Sequence, residues 1–129
     1  MSTFVLFVNG PPYGREDAYT ALRFAEAALA AGHEVRQIFF YQEGVLNASR
    51  LLSPAADEFD IAAAWQRLHH QGVPLVSCVS ASLRRGVIDA EAAEDAEHDS
   101  TNLAACFTLG GLGEFVTAAA EVDRVVQFG

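Results

Sequence analysis

The nucleophile best placed for chemistry is Cys78, which stands near the end of the apolar run Leu75–Val79. A thiol at a strand end, followed by small residues that begin a helical turn, can interact with backbone N–H groups and with the positive end of the helix. Arg84 and Arg85 follow one to two turns later and could add positive charge. Both effects favour the thiolate, so the spacing fits a reactive thiol, and it fits a small buried hydrophobic residue equally well.

The second cysteine, Cys106, lies in the apolar segment Leu-Ala-Ala-Cys-Phe and is expected to serve packing. The two thiols could form one disulfide, but a reducing compartment would keep them free. Their spacing also lacks the CxxC pattern of a zinc or redox motif. The leading chemical hypothesis is therefore a single sulfur nucleophile at Cys78.

Two glycine-rich segments could hold phosphates. Gly110–Gly113 resembles a dinucleotide loop, but the third glycine position of GxGxxG is Val116 and no acidic residue follows on a second strand. We expect this segment to be a tight strand-to-helix turn. The loop Asn9–Gly14 could bind a flavin phosphate as in flavodoxin-type domains, although Pro11 and Pro12 remove two N–H donors.

An acidic run occupies residues 89–99. Such a run is usually a solvated helix face, and the sharper alternative is a docking surface for a basic partner. Within it, His98 with Glu94 and Asp99 could form a metal site, although a solvated surface explains these residues as well.

The charge balance excludes several classes of function. The chain has 17 acidic residues against 8 basic ones, all arginine, for a formal net charge of −9. A Schiff-base enzyme and a Walker-type phosphate loop both need a lysine. The arginines are scattered, so no basic face for direct nucleic-acid binding is expected.

The longest apolar runs are far shorter than the ~20 residues that span a bilayer. The amino-terminal residues are typical of a first strand and not of a signal peptide. We therefore expect a cytoplasmic protein without membrane contact.

The elements that must position Cys78 can be predicted from periodicity and turn signals. Hydrophobic content of 51% in 129 residues predicts one packed domain, residues 1–129. Strands are expected near residues 3–8, 34–41, 75–79, 107–109 and 124–128. Helices are expected to begin at Glu16–Asp17, at Ser53–Pro54 and near Leu112, with short helical turns between Ser80 and Thr101. Strands that are apolar on both faces and alternate with helices indicate an α/β protein with a parallel sheet between helices.

Sites in an open parallel sheet collect outside the carboxyl ends of the strands. Cys78 lies in such a loop. Asn9, Tyr13 and Glu43 could approach it from neighbouring loops of the same kind. The four candidate loops are Asn9–Arg15, Tyr41–Asn47, Cys78–Arg85 and Gly110–Gly113.

Several segments together resemble the TusD/DsrE family of small sulfurtransferase subunits, and the resemblance runs almost end to end. The segment Cys78–Val87 is similar to the family's active-site region. Ser80 and Ser82 stand where the family pattern has alanines, which could alter hydrogen bonding near the thiol. The other similar segments are Phe39–Val45 with Asn47–Ala48, Ser53–Asp60 leading to Ala64–Gln66, Phe107–Gly113 and Asp123–Phe128.

The resemblance implies a three-layer α/β/α fold with a central, mainly parallel sheet of about five strands. It also implies that Cys78 carries sulfur as a persulfide, without metal or cofactor. The family works as heterohexamers with TusB-like and TusC-like subunits. Sulfur arrives from a TusA-like carrier and leaves to a TusE-like acceptor. The resemblance implies that this sulfur serves 2-thiolation of the wobble uridine in tRNA. The TusD branch fits the ending Val-Val-Gln-Phe better. The alternatives are a DsrE-type subunit in dissimilatory sulfur oxidation, and a non-catalytic structural subunit.

Overall fold

The computed structural model describes all 129 residues and contains one five-stranded sheet. Its strands lie in the order β4-β3-β2-β1-β5 and every neighbouring pair is parallel. All carboxyl ends therefore lie along one edge of the sheet. The predicted fold class is confirmed. The strands are β1 (Thr3–Val8), β2 (Glu34–Phe40), β3 (Leu75–Cys78), β4 (Phe107–Gly110) and β5 (Arg124–Phe128).

Helices cover both faces of this sheet, but unequally. The helices are α1 (Asp17–Ala30), α2 (Ile61–His70), α3 (Val79–Arg84), α4 (Ala90–Asp95) and α5 (Leu112–Ala120), with a 3₁₀ helix at Gln42–Ala48. None of them is both long and apolar enough to cross a bilayer.

The main core lies between the sheet and the pair α1 and α2. Because side chains alternate along a strand, Leu6 and Val8 of β1 point to this face together with Ile38 and Phe40 of β2. Trp65 of α2 is fully buried there and its ring meets Phe40 edge-on at a centroid distance of 5.1 Å. This face holds most of the buried apolar residues of the chain.

The opposite face is covered only in part, by α5 and the start of α3. A smaller cluster forms there around Phe39, Val76 and Cys78. No residue of α5 is fully buried, and its Leu112 and Val116 are 42% and 62% exposed. An apolar helix with so little burial is an unusual surface feature for a chain that acts alone.

Two predicted boundaries are wrong. The helix expected from Ser53–Pro54 begins at Ile61, because the Asp60 side chain accepts the Ala63 N–H at 3.1 Å and caps α2, while the residues before it form turns. The segment after β2, expected as a loop, is the 3₁₀ helix Gln42–Ala48. Gly44 permits that helix to approach β1, since a Cβ there would collide with the Val8 carbonyl oxygen.

Candidate functional site

Cys78 is the last residue of β3 and the residue that precedes α3. This is the strand end that the sequence predicted. In the parallel pairing of β3 with β4, Cys78 lies opposite Gly110. The side chain is only 3% exposed, so the thiol is not open to bulk solvent in the isolated chain.

Apolar side chains surround the thiol on the α5 face of the sheet. Val76 from its own strand, Phe39 from β2 and Ala81 from α3 share its cluster with Val45 of the 3₁₀ helix. Three half-buried aromatic residues pack against this cluster, namely Phe7, Tyr41 and Phe115. The Phe7 and Phe115 rings lie 4.6 Å apart between centroids. A reagent that reaches Cys78 must therefore displace part of this aromatic layer or enter beside α3.

A buried hydroxyl pair fixes the backbone on both sides of Cys78. The Oγ atoms of Ser77 and Ser82 lie 2.7 Å apart, and both residues are fully buried. The bond joins the strand residue before Cys78 to the second turn of α3. The resemblance drew attention to Ser82, whereas Ser77 was missed, because only the β3–α3 connection shows that the two side chains meet.

Space next to Cys78 is also restricted on the neighbouring strand. A Cβ at Gly110 would collide with the Glu114 carboxylate and would lie 2.8 Å from Cγ1 of Val76. Only glycine therefore allows Glu114, in the first turn of α5, to lie over the strand position opposite Cys78. The predicted strand-to-helix turn at Gly110–Gly113 is confirmed, with Gly111 as the residue before α5.

The other predicted neighbours of Cys78 are placed differently. The Arg85 guanidinium donates to the Ala81 carbonyl of its own helix at 3.3 Å, and Arg84 is exposed. The Tyr13 hydroxyl donates to the Phe59 carbonyl at 2.7 Å, and Asn9 donates to Gly129. These four side chains are thus engaged elsewhere or face solvent.

Glu43 is exposed on the 3₁₀ helix, and its neighbour Val45 contacts the Cys78 cluster. A different residue of this helix organises the edge of the sheet. Asn47 is 1% exposed; its Nδ2 donates to the carbonyls of Gly10 and Gly44, and its Oδ1 accepts the Trp65 indole N–H. Sequence analysis placed Asn47 in a candidate loop and in a family-like segment, but it did not predict this structural role.

Cys106 lies at the other end of the strands. It directly precedes β4, whereas Cys78 is level with the last residue of β4. Four strand residues at ~3.3 Å each separate the two positions by about 13 Å, well beyond the ~7 Å limit between Cα atoms of a disulfide. Both cysteines are free, and burial raises the pKa of the Cys106 thiol. Cys106 contacts the main core, as expected for a packing residue.

The acidic run forms the short helix α4 and the turn after it. Asp89 caps α4 by accepting the Ala92 N–H at 2.9 Å, while Glu94 and Asp99 are exposed. His98, Glu94 and Asp99 do not form a group that could hold a metal ion. The structure therefore does not bring these three side chains together. Asp89, Glu91 and Asp95 instead line a cleft between α3, α4 and the end of β4.

The chain is similar to known proteins over nearly its whole length. The family model described as DsrE/DsrF-like matches residues 2–128. The chain belongs to the DsrE/DsrF-like family.

Two relatives of this chain are named Sulfurtransferase TusD. The protein of Klebsiella pneumoniae (strain 342) is 53% identical to this chain, and the protein of Salmonella enteritidis PT4 (strain P125109) is 52% identical. Each comparison covers 97% of this chain and 98% of the relative.

Solved structures show the same fold for this DsrE/DsrF-like chain. The YchN protein of Escherichia coli superposes with a TM-score of 0.82 at 24% identity, over 99% of this chain and all of that one. Protein MTH1491 of Methanobacterium thermoautotrophicum, titled as of unknown function, superposes with a TM-score of 0.65 at 15% identity, over 98% and 99% of the two chains. At these identities the likeness establishes the fold.

Proposed function

We propose that this chain is a sulfurtransferase subunit of a sulfur relay, and that Cys78 accepts sulfur as a persulfide from one carrier protein and passes it to another. The observation that carries the proposal is identity above 50% over nearly the whole chain to proteins named Sulfurtransferase TusD. Cys78 supports it by its position, since it is the one cysteine at the carboxyl edge of the sheet, where sites of parallel sheets lie.

The chemistry is thiol exchange and needs neither metal nor cofactor. Cys78 loses its proton, and the thiolate attacks the outer sulfur of the carrier persulfide. The S–S bond of the carrier breaks, its electron pair stays on the carrier sulfur, and that sulfur takes up a proton. One sulfur atom has moved and no net oxidation has occurred. The same exchange with a second carrier thiol unloads Cys78.

The apolar enclosure of Cys78 suits a carrier of reactive sulfur. A persulfide held among Phe39, Val76 and Ala81 is shielded from small thiols in solution, which would otherwise reduce it. The cost is access, because the side chain is only 3% exposed. Loading therefore requires a protein partner that docks close to Cys78 and moves a covering side chain.

We further propose TusB-like and TusC-like subunits in a heterohexamer. The α5 face supports this, because Leu112 and Val116 are exposed there and the buried Oε1 of Gln37 lacks a hydrogen-bond partner. Gln37 lines a groove of about 680 Å³ beside α5, where a neighbouring subunit could pack.

The proposed route of sulfur is from a TusA-like donor to a TusE-like acceptor, in the cytoplasm, for 2-thiolation of the tRNA wobble uridine. The net charge of −9 supports a relay protein that does not itself bind tRNA. A DsrE-type role in dissimilatory sulfur oxidation uses the same exchange step and would differ in its partners.

A second candidate is a structural subunit in which Cys78 only packs. The burial of Cys78 in an apolar cluster favours it, because many free cysteines are inert for that reason. Intact-mass analysis of the assembled complex after mixing with a persulfidated TusA-like carrier separates the two. A gain of one sulfur atom in the parent and in Cys106→Ser, absent in Cys78→Ser and lost on reduction, supports transfer. No gain in the parent leaves the structural subunit.

A further inference from the structure

A cleft of about 520 Å³ lies directly beside the Cys78 position and has no role in the exchange step described above. It is formed by α3, α4 and the end of β4. Its floor is apolar, and Leu83 of α3 contributes a side chain that is 44% exposed, although leucine prefers burial. The apolar residues of the floor are Val79, Leu83, Ile88 and Leu109.

The rim of the cleft is acidic. Asp89, Glu91 and Asp95 line it, and neither lysine nor arginine does. Their carboxylates have no ion-pair partner in the chain, since every salt bridge present involves Arg15, Arg23 or Arg36. His98 is the one basic side chain on the rim. An apolar floor with an unneutralised acidic rim is complementary to an apolar segment flanked by lysine or arginine.

The cleft reaches Cys78 through two backbone neighbours. Val79 follows Cys78 in the chain, and Gly110 lies opposite it across the β3–β4 pairing. Leu83 stands one helical turn after Val79 on α3, so both lie on the same side of that helix. A chain segment in the cleft would therefore contact the residues that directly flank the thiol.

We propose that this cleft docks the cysteine-bearing segment of the sulfur carrier, and that the segment joins apolar residues with flanking lysine or arginine. The inference rests on the proposed transfer function and names the surface that selects its partner. The apolar part of the segment lies on the floor around Leu83, and its cations pair with Glu91 and Asp95. A carrier segment bound against α3 would also be placed to displace the side chains that cover Cys78 on the α3 side.

The test is a charge reversal with a matched control. Glu91→Lys/Asp95→Lys reverses two rim charges, and Asp57→Lys/Glu94→Lys makes the same change in net charge with exposed residues outside the cleft. Asp89 is left intact because it caps α4. Leu83→Ala removes floor area, and Leu51→Ala does the same at an exposed leucine elsewhere.

Each variant, assembled with its partner subunits, is mixed with a persulfidated TusA-like carrier, and the rate of sulfur gain on Cys78 is followed by intact mass. Alkylation of Cys78 by neutral iodoacetamide is measured beside it, to report on the thiol itself. We expect the rim reversal to slow transfer by about tenfold and Leu83→Ala by roughly threefold, with both controls within about twofold. Alkylation rates should stay unchanged throughout.

A second probe tests the chemistry of the segment. A persulfidated cysteine peptide with leucine and lysine neighbours should load the parent faster than the same peptide with glutamate in place of lysine, and the rim reversal should invert this preference. If the rim reversal and its control transfer sulfur from the carrier at equal rates, the docking inference is wrong while Cys78 remains the acceptor. If the parent gains no sulfur from any donor, the proposed function fails and the docking inference fails with it.

Discussion

The Ser77–Ser82 hydroxyl pair connects the residues on either side of Cys78. It joins β3 to α3 across the cysteine at 2.7 Å between oxygens. Because both hydroxyls are fully buried, neither can turn to water if the other is removed. The pair is therefore expected to hold Cys78 in place without taking part in sulfur exchange.

Replacing Ser82 by alanine should destabilise the fold by about 1–2 kcal/mol, the usual cost of leaving one buried hydroxyl without its partner. The start of α3 should loosen as well, so that Cys78 is alkylated faster in the folded protein. Urea unfolding and iodoacetamide kinetics measure the two effects. Ser80→Ala is the matched control, because Ser80 lies on the same helix and is exposed. Equal behaviour of the two variants would contradict the positioning role.

Asp123 gives a pH-dependent contribution to stability. Hydrogen bonds from the Thr3 backbone N–H and hydroxyl lower the pKa of Asp123 in the folded chain. A lowered folded-state pKa means that the stabilisation is present above the unfolded value of about 3.9 and is lost as the pH falls through the folded-state pKa. The bond links the chain before β5 to the start of β1.

We expect Asp123→Asn to unfold at lower urea concentration than the parent at pH 7. The gap between the two should shrink as the pH falls below about 4 and vanish once Asp123 is protonated in the folded parent. Midpoints measured in urea across this pH range provide the test. A gap that stays constant with pH would show that the charge of Asp123 is not what stabilises the contact.

The 3₁₀ helix Gln42–Ala48 connects the elements that surround the site. Its Asn47 bonds the loop after β1, its own Gly44 carbonyl and Trp65 of α2. Val45 of the same helix contacts the Cys78 cluster. A disturbance at Asn47 should therefore affect both the main core and the environment of the thiol.

Asn47→Leu should cost about 2–4 kcal/mol of unfolding free energy, because a buried indole N–H and two buried carbonyl groups lose their partners. Gln66→Leu, at an exposed position of α2, should stay within about 0.5 kcal/mol of the parent. Urea denaturation followed by Trp65 fluorescence measures both. A loss below 1 kcal/mol in Asn47→Leu would mean that water or backbone shifts satisfy these groups.

The sequence predicted the strands and their parallel arrangement well, because apolar runs such as Thr3–Val8 and Leu75–Val79 are local signals of buried strands. The start of α2 was misplaced, since Ser53–Pro54 and Asp60 both look like good caps in sequence; in the structure Asp60 caps the helix and Ile61 and Trp65 pack in the main core. The strand-end position of Cys78 could be predicted. Its burial could not, because Phe39, Val45 and Phe115 come from three distant elements.

The two faces of the sheet differ in how completely helices cover them. The face under α1 and α2 holds the large core, whereas α5 on the other face has no fully buried residue. Exposed Leu112 and Val116 and the unpartnered Gln37 lie on the α5 side, and none of them lines the cleft proposed for the carrier. We propose the first surface for the permanent subunits and the second for the transient donor.

Val116→Asp tests this division of surfaces. Val116 is 62% exposed, so the substitution should change the unfolding free energy of the isolated chain by no more than about 0.5 kcal/mol. In the proposed assembly the same carboxylate would be buried without a partner, and we expect the proposed hexamer with TusB-like and TusC-like subunits to dissociate. Leu51→Asp, at a 61% exposed leucine on another surface, should assemble normally. Light scattering of the co-expressed subunits distinguishes the two, and an intact hexamer carrying Val116→Asp would place the subunit interface away from α5.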